Sequence, residues 1–431
     1  MKFWFVSAPL PGHLDWGGFL KTAQTLQAHG HEVLWVSQPA IGGLVEASGI
    51  PFAPIGETGW LWPPPPPPDL SKIKPAEAIF LRYRRALDTW LSEDLIPPAV
   101  ECLRDLAAEH GKPDVLVTDP FLSASALAAE LLDVPLAVAG WPAGQPLDEA
   151  QLFAVQSELG HISQERIRRL LDRFGLRGIN FADGVTPSVQ SPYLHISYFS
   201  RNWYQDSISV VDTTGDKVMR TIVIEPFPER VGGIAPTPDT VDSAVPDWLA
   251  DIPADQPLAL ITLGSTFTGD LGFFSWAAQA AARLGLIPVV VLGTNPIAPE
   301  DKVKLKAALP AGTRLLAWIV YDQVFPRLAV IIHHGGMGTT HRALLQGLPQ
   351  VVVPHAADQR GQARRVAQAK VGLNLSAHDV KNNQLLPAIR AVCSDPQVRE
   401  NAIALQAELG ALGGVDRAAE LLIGLAEGKH R

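Results

Sequence analysis

The run from His333 to Gln359, HHGGMGTTHRALLQGLPQVVVPHAADQ, constrains the fold more than any other part of the chain. It follows the apolar segment Leu328 to Ile332, whose length and branched residues read as a buried strand. That strand ends in His333 and His334. Gly335, Gly336 and Gly338 then let the backbone turn tightly and expose its N–H groups. Thr339 and Thr340 are expected to open a helix that stops near Gly347-Leu348-Pro349. A second buried strand, Val351 to Val353, brings Pro354 to Gln359 back to the same sheet end. Such a strand–turn–helix–strand unit demands a parallel sheet, and a glycine turn entering a helix N-terminus is suited to an anion.

The same rhythm runs through the whole chain. Phe3 to Ala8, His31 to Val36, Asp114 to Thr118 and Leu136 to Ala139 read as strands, with helices over Gly17 to Ala28 and Leu122 to Leu132. A second series begins at Leu258 to Leu263 and continues through Pro288 to Leu292 and Arg314 to Trp318. The expected class is α/β, with two Rossmann-like parallel-sheet domains. Residues 226 to 245, rich in Pro, Gly and small polar residues, read as the linker between domains 1–225 and 246–412. The chain has 431 residues, 47% apolar and 18% charged, enough for two sizeable cores and unlike a disordered chain. A net charge of −9 disfavours nucleic acid as a partner. Two cysteines, Cys102 and Cys393, exclude a disulfide scaffold and suit a cytoplasmic protein. The apolar N-terminal run is too short for a signal peptide, and none reaches the roughly 20 residues of a membrane span, which leaves peripheral membrane contact open.

In combination these motifs resemble the nucleotide-sugar signature of the inverting glycosyltransferases that modify small lipophilic acceptors: macrolide, glycopeptide, rhamnolipid, sterol and plant secondary-metabolite enzymes. The resemblance covers the whole chain and implies the GT-B architecture, two domains facing across a cleft, with residues 413–431 forming a helix that packs back over the domain junction. It implies a nucleoside-diphosphate sugar as co-substrate and no other cofactor. His334 matches the histidine that contacts the diphosphate, and Gly338 and Thr339 match the backbone and hydroxyl that complete the cradle. Ser265 and Thr266, after the first strand of the second domain, match a second phosphate-contacting loop, although a Gly-Ser-Thr turn is common. Trp318 matches the tryptophan that stacks on the base, with the Ile319 backbone on the base edge; a core tryptophan is the alternative. Asp358 and Gln359 match the pair that grips sugar hydroxyls, where Asp358 can equally cap the following helix.

On the acceptor side the resemblance places the general base at His13 in Pro11-Gly12-His13. Inverting transfer needs a base to take the acceptor proton, and imidazole suits that near neutral pH. Asp119, after the strand ending at Thr118, matches the carboxylate that orients this histidine; a helix cap is the bland alternative, and Asp15 is a nearby competitor. Trp60, Trp62, Trp141 and Phe153 are candidate apolar walls for a small hydroxylated acceptor. Trp62 leads into six prolines, Pro63 to Pro68, an extended strut read either as a surface loop or as a lid. No Asp-x-Asp triplet occurs, so no metal is expected.

Two positions depart from the pattern of many UDP-sugar users. Arg342 stands where a ribose-binding glutamate is common, and Tyr321 where plant enzymes carry glutamine. A cation cannot accept from the ribose diol, which points toward a dTDP-sugar. A dinucleotide-dependent oxidoreductase lacks support, because no G-x-G-x-x-G follows the first strand. The other alternative is a catalytically inactive helper of a sister transferase that binds nucleotide sugar.

Overall fold

The computed structural model describes the chain apart from residues 15–17, 64, 66–72, 141–149, 182–188, 201–202, 204–210, 213–218, 221–228, 232–245, 265–270, 294–296, 320, 356–358 and 430–431. It divides into two compact units, Met1–Gly232 with Gly413–Arg431, and Gly233–Leu412. Fifteen strands occur among the described residues.

The first unit is built on a seven-stranded sheet of order β3-β2-β1-β4-β5-β6-β9. Its strands are β1 (Lys2–Val6), β2 (Glu32–Ser37), β3 (Phe52–Pro54), β4 (Val115–Thr118), β5 (Leu136–Gly140), β6 (Leu194–Ser197) and β9 (Glu229–Arg230), all paired in parallel. A short antiparallel ladder, β7 (Val211–Asp212) with β8 (Met219–Arg220), stands apart from it. β1 is central and covered on both faces, so its FWFV run is continuously apolar rather than alternating. Phe5 stacks on Trp35 at 5.6 Å, and Phe19 meets the same indole edge-on at 5.1 Å. The Trp35 indole N–H donates to Ser7 Oγ and Ser37 Oγ donates to the Ser7 carbonyl. These bonds pin the exit from β1, where the chain turns toward His13. Helix Gly414–Ala426 packs on helix Phe19–Ala28 within this unit.

The second unit carries a six-stranded parallel sheet of order β12-β11-β10-β13-β14-β15. Its strands are β10 (Leu258–Thr262), β11 (Ile287–Val291), β12 (Arg314–Leu316), β13 (Leu328–His333), β14 (Gln350–Val352) and β15 (Gly372–Asn374). Val330, Ile331 and Ile332 are fully buried in β13, each side chain contributing about 1.5–3 kcal/mol of apolar burial. Each sheet is thus the core of a Rossmann-like, doubly wound unit.

The strand orders reverse between β1 and β4 in one sheet and between β10 and β13 in the other. Ligands of open α/β sheets bind outside the carboxyl ends of strands at such reversals. The segments leaving β1 and β4 carry His13, on the short helix Pro11–Leu14, and Asp119; those leaving β10 and β13 carry Gly264 and His334.

Several boundaries differ from the sequence expectation. Glu229–Arg230, inside the expected linker 226–245, forms β9, because β6 offers a free edge that local sequence does not reveal. The helix after the glycine turn begins at Met337, two residues before Thr339, since Gly336 is already extended and ready to start it. β12 ends at Leu316, so Trp318 lies in the loop beyond the strand.

Candidate nucleotide-sugar site

His334 follows β13 directly and is only 7% exposed. Its ring is wedged between two glycines from different loops. A Cβ built on Gly264 would lie 2.9 Å from His334 Nε2, and one on Gly336 would lie 2.4 Å away. Any larger residue at either position must displace the ring. Gly335, with φ +86, runs equally close to the Gln359 carbonyl, 2.8 Å from its own notional Cβ. The glycine turn is thereby held against both the β10 exit and the start of helix Gln359–Gln368.

Burial pushes His334 down to about 3, helped by the neighbouring His333 and His355 rings. Its imidazole is therefore neutral at physiological pH, and Nδ1 is buried without a hydrogen-bond partner. With its proton on Nε2, the ring can donate to an anion while carrying no charge. Gly338 and Thr339 sit in the first turn of helix Met337–Leu345, where no side chain caps the N-terminus. Thr340 instead turns both its N–H and its hydroxyl to the Gly336 carbonyl, at 3.0 and 2.9 Å. The N–H groups before it have no acceptor within the helix and meet the positive end of its dipole.

Trp318 is 59% exposed, so it is not a core residue. Tyr321 meets it edge-on at 6.1 Å, and the Arg342 guanidinium lies over the Tyr321 ring at 4.6 Å. The two departures noted in the sequence thus pack on each other, one turn along the helix from Thr339. Ile319 is buried behind this layer. Replacing Trp318 with alanine is expected to weaken nucleoside-diphosphate binding by at least tenfold, since base–aromatic stacking is worth about 1–3 kcal/mol. Its exposure predicts no loss of melting temperature, and calorimetric titration beside a thermal melt reads both.

The Gln359 side-chain carbonyl accepts the His355 N–H at 2.9 Å, and His355 Nδ1 lies 2.8 Å from the Val353 carbonyl. These bonds shape the loop before helix Gln359–Gln368. Asp358, Ser265 and Thr266 lie outside the described residues, as do Trp141 and Asp15.

In the first unit, His13 belongs to the short helix Pro11–Leu14, and its side chain is outside the description. Asp119 is fully buried, and its Oδ1 accepts the Phe121 N–H at 2.8 Å. That bond shapes the loop after β4. It is not a helix cap, because the next helix starts at Ser123 with Leu122 before it and no side-chain cap. Trp60, a candidate acceptor wall, is 9% exposed and packs near Trp90 and Phe121, with ring centroids 6.2 and 6.4 Å away. Trp62, at 37%, remains open to a ligand. Phe153 lies on helix Ala150–Phe174, its side chain outside the description.

Among the described residues no cluster of three or more His, Cys, Asp or Glu is placed to hold a metal, and no helix is long and apolar enough to cross a membrane.

The chain matches the family model "Erythromycin biosynthesis protein CIII-like, C-terminal domain" over residues 290–414, the stretch holding Trp318, the glycine turn and Gln359. It is 25% identical to the erythronolide mycarosyltransferase of Saccharopolyspora erythraea, over 91% of each chain. The chain has the GT-B fold. Its fold is shared with the glycotransferase of kitacinnamycin (TM-score 0.73, 24% identity, 99% of this chain and 98% of that one). Glycosyltransferase VinC, solved with dTDP, aligns at TM-score 0.68 and 20% identity, over 99% of this chain and 100% of its own.

Among the described residues of this GT-B chain, burial lowers His195 and His333 to about 4 and His334 to about 3, from an ordinary 6.5. Below pH 6.5 the unfolded chain takes up these protons and the folded chain does not. Stability is therefore fully present above about pH 7 and falls as pH drops toward 4. The expected loss is about 2 kcal/mol per histidine between pH 7 and 5. A melting temperature flat across that interval would contradict it.

Proposed function

We propose that this protein is an inverting, metal-independent O-glycosyltransferase that moves a sugar from a nucleoside-diphosphate sugar to a hydroxyl of a small apolar acceptor. The observation that carries the donor half is the neutral His334 ring clamped by Gly264 and Gly336 beside an uncapped helix N-terminus, with the exposed Trp318 indole in the same unit. Together they suit the two parts of a nucleoside diphosphate: an apolar aromatic platform for a base, and N–H donors for a diphosphate.

In the reaction, His13 takes the acceptor hydroxyl proton as that oxygen bonds to the anomeric carbon. The bond from that carbon to the diphosphate oxygen breaks, and the nucleoside diphosphate leaves with the electron pair. Asp119 orients the imidazole and stabilises its protonated form. Charge building on the leaving group meets the first-turn N–H groups, including those of Gly338 and Thr339, and the His334 N–H. Ser265 and Thr266 extend this cradle, while Asp358 and Gln359 hold the sugar hydroxyls. No metal and no cofactor beyond the co-substrate is invoked, and the setting is cytoplasmic.

Arg342, held on Tyr321, favours a dTDP-sugar over a UDP-sugar, because a guanidinium offers the ribose diol no acceptor. VinC was solved with the same nucleotide. Trp62, Trp141 and Phe153 supply the apolar acceptor wall, which suits a polyketide, carotenoid, sterol or lipid alcohol. The test is turnover of UDP- and dTDP-sugars with such alcohols in EDTA, the product anomer being read by NMR. Inverted product from a dTDP-sugar supports the whole reading. Retained configuration, or activity lost to EDTA, would overturn the mechanism.

A further inference from the structure

Beneath the glycine turn lies a buried polar pair that the diphosphate cradle does not itself use. His333, the last residue of β13, is fully buried. Its Nδ1 accepts the Gly335 N–H at 3.1 Å, and its Nε2 lies 3.0 Å from Gln350 Oε1. Because Nδ1 is an acceptor, the ring proton of the neutral imidazole sits on Nε2 and is donated to the Gln350 carbonyl. Gln350 opens β14, the strand paired with β13, and is also fully buried. Its Nε2 has no hydrogen-bond partner.

An apolar pair of similar volume would fill this space without burying an unpartnered amide. What an apolar pair would not supply is an acceptor for the Gly335 N–H. That N–H belongs to the peptide entering the left-handed Gly335, one residue before Gly336, from which helix Met337–Leu345 starts. We propose that His333 and Gln350 are positioning residues: Gln350 fixes the tautomer of His333, and His333 holds the Gly335 peptide so that the following N–H groups converge on the donor diphosphate. This rests on the nucleotide-sugar reading of the site.

Two substitutions separate positioning from packing. In His333→Asn, Oδ1 falls near the place of imidazole Nδ1 and keeps an acceptor for the Gly335 N–H. In His333→Gln, the longer amide reaches the Gln350 end and leaves Gly335 without its acceptor, while filling more of the space. Titration with dTDP and a thermal melt are run on both and on Gln350→Met. The expected result is dTDP affinity within about threefold of wild type for His333→Asn and at least tenfold weaker for His333→Gln. Melting temperatures should order the other way, with the larger glutamine side chain costing less stability. Gln350→Met, which frees the tautomer, should fall between the two in affinity. Affinities that simply follow the melting temperatures, with His333→Gln binding like wild type, would overturn the proposal. Wild-type protein that binds neither dTDP nor UDP would instead sink the nucleotide-sugar reading, and the positioning role with it.

Discussion

Replacing His13 with alanine is expected to lower sugar transfer by about 10²–10⁴-fold while leaving dTDP affinity unchanged, because a positioned general base contributes on that scale. The short helix carrying His13 follows the exit of β1, beside β4, whose exit carries the buried Asp119. Val6 and Thr118 are register partners at those two strand ends, so both residues leave the sheet at one topological reversal. Donor contacts are assigned to the second unit, which is why binding and turnover should separate. Asp119→Asn should lower kcat less than His13→Ala and shift its pH profile, since it removes the charge that stabilises the imidazolium. The measurements are initial rates at saturating donor beside calorimetric titration of dTDP. An unchanged rate for His13→Ala would remove His13 as the base. A wild-type chain that binds dTDP yet turns over no donor would fit the helper alternative instead.

The second large effect is expected at Gly336. Its φ is −60, so alanine is tolerated by the backbone, and the added Cβ would fall 2.4 Å from His334 Nε2. The ring must move, and with it the N–H proposed to meet the diphosphate. Gly336→Ala should reduce kcat/KM by about 10²-fold, comparable to removing one oxyanion donor, with little change in melting temperature. A double-mutant cycle makes this specific: in a His334→Ala background the ring is gone, and Gly336→Ala should cost almost nothing further. Additive losses would mean that Gly336 acts through something other than His334.

The sheets were legible to within a residue or two wherever a strand is buried on both faces, as β1, β10, β11 and β13 are. Such strands must be continuous apolar runs, which is a local property. β3, β6, β9 and β15 escaped, and two of them show why. β15 is Gly-Leu-Asn on a sheet edge, and β9 is Glu-Arg. Their pairing comes from a neighbour, and their own residues do not announce it. The glycines beside His334 were legible because they follow it in sequence. The Gly264-Ser265-Thr266 turn stood out as well, but the approach of Gly264 to the His334 ring did not, because it joins the exits of β10 and β13, which are distant in the chain. Trp60 and Trp62 share one tryptophan-rich, proline-flanked segment, and nothing local could tell which indole would turn inward. Arg342 and Tyr321 each stood out alone; that they stack on each other needed the fold.

The most direct test is calorimetric titration of the wild-type protein with dTDP and with UDP in the presence of EDTA. Saturable binding of one nucleotide per chain is expected, tighter for dTDP, unaffected by the chelator and weakened at least tenfold by Trp318→Ala. Absence of binding by either nucleotide, or binding that Trp318→Ala leaves untouched, would contradict it.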